Sequence, residues 1–250
     1  MEMDDDFVSS FKSLTKNRIH EGYLPLRWQW RMFERLCRGD IPAICDLPTG
    51  LGKTSIIQLW LLALRYQITN IKPRLPMRLV YVVDRRTVVD QATSIAEGAK
   101  ERITTLGLDS NWLSVSTLRG KFADNRQWAV DPSRPAIITG TVDMIGSRLL
   151  FSGYRSGYKS RPLDAGLLGQ DALLILDEAH LSEPFAKLTR SIEALNQDSP
   201  LPIKVMHMSA TGRNGGMNAF SLEDSDLEGD RDANPIVRRF EAEKRLTISD

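Results

Sequence analysis

A dominant charge of one sign is missing from this chain. Lys and Arg number 33 against 32 Asp and Glu, a formal net charge of +1. No global basic field selects nucleic acid, so any such contact has to come from local patches. Long apolar runs are missing too. LWLLALRY (Leu59 to Tyr66) is interrupted by Arg65 and is too short to span a bilayer. The opening MEMDDDF lacks the basic-then-apolar order of a secretory leader. Two cysteines, Cys37 and Cys45, are too few for a disulfide or metal framework and read as packing residues. No internal repeat is present. Together these absences lead to the expectation of a soluble, cytoplasmic protein.

What is there suits one α/β domain with appendages, because 250 residues, 42% of them apolar, can bury a real core. Phe7, Phe11 and Leu14 recur at helical spacing behind an acidic start. A second helix is expected from about Trp28 to Arg38, with Met32, Phe33 and Leu36 inward and Gly39 as its stop. An alternation follows. IPAIC reads as a buried strand, and a helix with Ile56, Ile57, Trp60, Leu61 and Leu64 on its apolar face comes after it. RLVYVV (Arg78 to Val83), LSVST, AIITG, ALLIL and IKVMHMS are further strand candidates. Strands alternating with helices predict a parallel sheet covered on both faces. Ligands of such sheets bind at the carboxyl ends of the strands.

The stretch DLPTGLGKTS (Asp46 to Ser55) carries the first chemistry. Backbone N–H groups from Thr49 to Thr54 can wrap a phosphate chain at the start of a helix. Lys53 would reach the terminal phosphates and the Thr54 hydroxyl would hold Mg²⁺. Gly50 and Gly52 permit close approach. Leu47 stands where the usual pattern has glycine, at a point where the chain is leaving a strand and needs no positive φ. Downstream, DALLILDEAH is an apolar strand that delivers Asp177 and Glu178 at its carboxyl end. One acid there can hold Mg²⁺ and its neighbour can orient or deprotonate the attacking water. The two motifs together predict nucleotide hydrolysis, with Lys53, Asp177 and Glu178 as the catalytic set and Thr54 and Asp177 as metal ligands. MSATGR places Ser209, Ala210 and Thr211 at another strand tip, where His180 can link them to the hydrolysis site.

In this order, PTGLGKT, DEAH and SAT resemble motifs I, II and III of superfamily 2 helicases and translocases. The segment from about Leu24 to Arg213 resembles their first RecA-like lobe. VVDRRTVVDQ, LRG, TVDMIGSRLL and AGLLGQDALLILDEAHLSEPF make the chain most similar to the helicase of type I CRISPR interference systems, with the long forms of the last two resembling subtype I-G, formerly I-U. The resemblance implies an α/β, RecA-like P-loop fold behind short N-terminal helices, with ATP and Mg²⁺ as cofactors. It implies that Gln29 reads adenine beside a loop of Pro48, Thr49, Gly50, Leu51, Gly52, Lys53, Thr54 and Ser55. From the residues alone Gln29 is equally a surface side chain. It further implies that Asp84, Arg85, Arg86, Arg119, Gly120, Thr141 and Asp143 face the DNA strand, gripping phosphates without reading bases; without it, Arg85 and Arg86 equally fit a solvated helix start. Tyr154, Arg155, Tyr158, Lys159 and Arg161 lie in a basic–aromatic loop that can stack on single-stranded bases, or can simply be exposed.

The expected organisation is residues 1–22 as a helical extension, 23–215 as the RecA-like lobe, and 216–250 as an acidic linker and the start of a second lobe. Leu222 to Asp232 hold six acids and one arginine, which reads as solvated, and IVRRFEAEKRLTIS reads as β-like. Nothing after Arg213 resembles the second lobe and its arginine fingers, so the chain is expected to be a fragment or a natural truncation. Such a finger is worth on the order of 10³–10⁵ in rate, roughly 4–7 kcal/mol, and the chain alone should hydrolyse slowly. The resemblance implies single-stranded DNA, a second RecA-like lobe, an HD nuclease and an effector complex as partners; His20, His180 and His207 are scattered and none precedes an Asp, so no nuclease site is expected in this chain. The rivals are a restriction-type translocase subunit and an orphaned, non-catalytic nucleotide- or DNA-binding module.

Overall fold

A computed structural model describes residues 3–16, 19–70, 75–119, 126–153, 156–209, 218–229 and 234–240. Among them β1 (Ile44–Asp46), β2 (Arg78–Val83), β3 (Ser114–Leu118), β4 (Ala136–Thr141), β5 (Ala172–Leu176), β6 (Lys204–Ser209) and β7 (Ala219–Ser221) form one sheet. Its order is β3-β4-β2-β5-β6-β1-β7 and every neighbouring pair is parallel. This is the expected α/β, RecA-like architecture. β5, and β2 from Leu79 on, are continuous apolar runs because both faces of the sheet are covered there.

Alternation along each strand sorts the side chains. Leu79, Tyr81 and Val83 of β2, with Leu173 and Ile175 of β5, join the core under α1 (Asp5–Thr15), α2 (Arg27–Cys37), α3 (Ile56–Thr69) and α4 (Arg86–Glu101). Val80, Val82, Leu174 and Leu176 join the opposite core with residues of α5 (Gln127–Val130), α6 (Val142–Leu149) and α8 (Glu183–Leu195). The period of two carries past the strand end, so Asp177, the residue after Leu176, follows Leu173 and Ile175 toward the α3 side. α3 is buried almost all round, and the indole of Trp60 donates to the Pro76 carbonyl at 3.2 Å, which satisfies its polar atom inside the core.

Helix and strand limits differ from the sequence expectation in a few places, each for a local reason. α2 ends at Cys37 and Gly39 takes a left-handed φ of 72° behind it; Phe33 is only partly buried, against Phe7, Trp30 and Tyr66. The strand expected over IPAIC pairs only from Ile44. The basic–aromatic loop expected to include Arg161 ends before it, because α7 (Arg161–Gly169) begins with proline in its first turn, where a missing N–H costs nothing. Tyr154 and Arg155 lie outside the described residues.

Most of the acidic stretch 222–229 is exposed, as a solvated segment would be, but Asp226 within it is fully buried. Ala219–Ser221 first pairs with β1 as the sheet's last strand. The chain then folds back on α2, where Arg31 binds Glu223 and the fully buried Asp226. Arg27 meets Glu228 at 2.7 Å. Asn234 donates to the carbonyls of Asp226 and Glu228, and α9 (Pro235–Phe240) opens as a helix where β-structure was expected. Residues 241–250 lie outside the described set. No helix among the described residues is long and apolar enough to cross a membrane.

Candidate nucleotide site

The loop after β1 is shaped by two glycines. Gly50 and Gly52 sit at φ 83° and 72°, a region costly for residues with a Cβ. Leu47 has no such φ: it is fully buried and its N–H donates to the Ser209 carbonyl at 3.1 Å, extending the β1–β6 ladder by one residue. The position that departs from the usual glycine pattern thus lies just past the strand and is held by its last ladder bond. Lys53 to Ser55 form a single 3₁₀ turn that runs directly into α3, so the helix presents its amino end to the loop.

β6 lies between β1 and β5, which puts the loop and the DEAH turn about 10 Å apart at strand spacing. Lys53 crosses that gap. Its side chain is largely buried and Nζ comes within 3.3 Å of Glu178 Oε1. The acidic pair and the lysine therefore share one end of the sheet. Asp177 is fixed from both sides: Oδ1 accepts the Glu178 N–H at 3.0 Å and Oδ2 accepts the Tyr81 hydroxyl at 2.7 Å. Burial raises the Asp177 carboxyl above its ordinary pKa, against the lowering effects of the Tyr81 hydrogen bond and of Lys53. Glu178 itself is left-handed, φ 49° and ψ 50°. That conformation turns its amide back onto Asp177 and its carboxylate toward Lys53 and His180, whose Nδ1 lies 3.4 Å from Oε2.

Gln29 is not a surface residue. It is buried on the first turn of α2, its Oε1 accepts the Leu26 N–H at 2.7 Å, and its Nε2 donates to Ser55 Oγ at 2.7 Å. Its amide thus ties α2 to the end of the phosphate loop. Pro48 is half-buried, Thr49 is exposed and Leu51 is buried along the same loop. Ser209 is buried at the end of β6, in register with Asp46. Ala210 and Thr211 lie outside the described residues, so the link from His180 to that tip is not seen.

The residues expected to face DNA lie at the ends of β2, β3 and β4. Arg85 and Arg86 are exposed at the start of α4, and exposed Asp84 accepts Ser182 Oγ at 3.3 Å. Asp84, Val142, Asp143, Leu181, Ser182 and Phe185 line a cleft of about 270 Å³. Thr141 is buried where β4 passes into α6. Arg119 pairs with Asp90 of α4, and Gly120 lies outside the described residues. Sequence reasoning missed Tyr81: a buried tyrosine in a strand looks like packing until its hydroxyl is seen to reach Asp177.

The oxygen donors at this end of the sheet suit a magnesium–nucleotide. Mg²⁺ takes one or two protein oxygens and keeps its waters and phosphates, and Thr54 and Asp177 supply that number, Asp177 being held by the Tyr81 hydroxyl. Against known proteins, no curated sequence matches. Among solved structures the chain is similar to the DUF1998 helicase MrfA bound to DNA, at 17% identity and a TM-score of 0.58. That match covers 88% of this chain and 30% of that one, and it is a likeness of fold. T4 UvsW matches at 16% identity and a TM-score of 0.47, over 88% of this chain and 36% of its own. The chain therefore spans about a third of the length of these two structures. The family described as DEAD/DEAH box helicase matches residues 27–215, three-quarters of the chain; the protein belongs to the DEAD/DEAH box helicase family.

Proposed function

We propose that this chain is the ATP-binding lobe, residues 23–215, of an ATP-dependent DNA helicase or translocase of type I CRISPR interference. It would step along single-stranded target DNA when completed by a second RecA-like lobe. The observation that carries the ATP reading is the approach of Lys53 to Glu178 across two strand spacings, with Asp177 beside them. In this reading the loop from Pro48 to Ser55 cradles the phosphates and Lys53 neutralises the outer ones. Thr54 and Asp177 hold the magnesium, which supplies charge neutralisation at the phosphates. Glu178 orients and deprotonates the attacking water, and in the resting protein Lys53 occupies it until phosphate competes for the ammonium.

Support for the DNA side is the exposure of Asp84, Arg85, Arg86 and Asp143 at adjoining strand ends. Support for the CRISPR assignment is the similarity of TVDMIGSRLL and LGQDALLILDEAH to that group of motors, with an HD nuclease and an effector complex as the implied partners. A restriction-type translocase shares the ATP motifs without those stretches.

ATP turnover by the purified chain is the test. Slow hydrolysis that rises with single-stranded DNA, and is abolished in Lys53→Ala, is the expected result. Failure to bind nucleotide at millimolar ATP-Mg would leave the orphaned binding module as the better account. Stimulation by single-stranded DNA that survives in Lys53→Ala would sink the assignment of the loop.

A further inference from the structure

A phenol reaches the DEAH turn. Tyr81 stands in the middle of β2, wholly buried, with Leu79 and Val83 as its neighbours on the same face. Packing alone asks for no more than a large apolar side chain there, and a buried hydroxyl without a partner is costly. This hydroxyl donates to Asp177 Oδ2 at 2.7 Å, giving the one proton of the phenol to the carboxylate.

The remaining partners complete a closed arrangement. The other oxygen of Asp177 accepts the Glu178 N–H at 3.0 Å. Each carboxylate oxygen therefore holds one donor and keeps a lone pair, and the plane of the group is set by two hydrogen bonds from two different elements. β2 is a next-door neighbour of β5, so the phenol reaches the acid that stands just beyond the end of the adjoining strand.

We propose that Tyr81 is a positioning residue for the metal–nucleotide site: its hydroxyl holds the Asp177 carboxylate in the orientation a divalent cation requires, before the cation arrives. The proposal rests on the reading of Asp177 as a magnesium ligand given above. Tyr81 acts through Asp177. Outer groups of this kind orient ligands, and losing one weakens metal affinity about 10–100-fold.

Tyr81→Phe removes the hydroxyl and little else. Binding of a fluorescent N-methylanthraniloyl-ATP to the full chain would be titrated with MgCl₂ and, separately, measured in EDTA. The expected result is a rise of about tenfold or more in the half-saturating Mg²⁺ concentration, with affinity in EDTA unchanged within about twofold. Superimposable Mg²⁺ curves for the two proteins would overturn the proposal. An equal loss with and without Mg²⁺ would overturn it as well, because Tyr81 would then support the loop as a whole. Should the variant melt at a lower temperature, the readout becomes the Mg²⁺-induced rise in melting temperature with ADP present, compared within each protein; an equal rise in both overturns the proposal and a smaller rise in the variant supports it. A wild-type chain that binds no nucleotide under any condition would instead remove the site reading itself.

Discussion

Glu178 is pinned by three neighbours with different consequences. Lys53 lies on one oxygen of its carboxylate, His180 lies on the other, and its own amide serves Asp177. Glu178→Gln preserves the size and the amide hydrogen bond while removing the base. Nucleotide binding should persist close to the wild-type level, and DNA-stimulated ATP turnover should fall by about 10²–10⁴-fold, the usual range for losing a general base. Equilibrium binding and steady-state hydrolysis measured on one preparation check both halves. Much of this site was legible beforehand, since the glycine loop and the DEAH strand end announce themselves by local pattern. Gln29 was legible only as a candidate, because its burial depends on Ser55 folding over it. Tyr81 was not legible at all: hydroxyls at the centre of apolar runs give no local signal of where they point. Both cysteines behave as read, being free thiols pushed up to about 12 by burial and so unreactive.

At the scale of elements, α2 is the clasp of the carboxyl-terminal segment. Arg31 reaches Glu223, Asp226 and the Ser221 carbonyl, and its guanidinium lies 4.7 Å from the centre of the Phe220 ring. Asp226 is fully buried, so removing its partner leaves a charge in the interior, which costs about 3–5 kcal/mol. Arg31→Met is therefore expected to destabilise the protein by several kcal/mol in denaturant titrations. Amide exchange should accelerate most in Ala219–Ser221 and the turn after it, as expected of a cooperative local unit. Uniform acceleration across the sheet would show that the clasp is not local. These contacts were invisible in the sequence because Arg31 and Glu223 stand 192 residues apart, and a run of acids looks solvated until its arginines are found. RLVYVV and ALLIL were legible to the residue, since a continuous apolar run between turn residues leaves little freedom. β1 and β7 are three residues each and are strands only through their neighbours.

For the molecule as a whole, one half-buried histidine sets a measurable acid limit. His207 lies on β6 with Nε2 3.2 Å from Thr189 Oγ1, and it faces the Arg190 guanidinium. Burial, then that positive charge, pushes its pKa down to about 4. In the unfolded chain it protonates near 6.5. Between those values the unfolded state binds more protons, so stability is full above pH 6.5 and drains away as pH falls toward 4. His207→Gln keeps a partner for Thr189 and cannot take up the proton. Its stability should decline less steeply than wild type between pH 6.5 and 4 in urea titrations, with the carboxylates common to both proteins cancelling. Parallel pH profiles would show that Glu193, Arg190 and their neighbours dominate the acid response. The sheet order was legible only as a class; that β6 would separate the two catalytic strands is a property of the closed fold, not of any one segment.

The left-handed backbone at Glu178 has an outcome for anyone surveying substitutions. Side chains branched at Cβ are excluded there by sterics and asparagine or glycine are welcomed, whatever each does to the chemistry. A library at this codon would thus superimpose tolerance of shape on need for a base, and only residues matched in shape to glutamate would report the second alone.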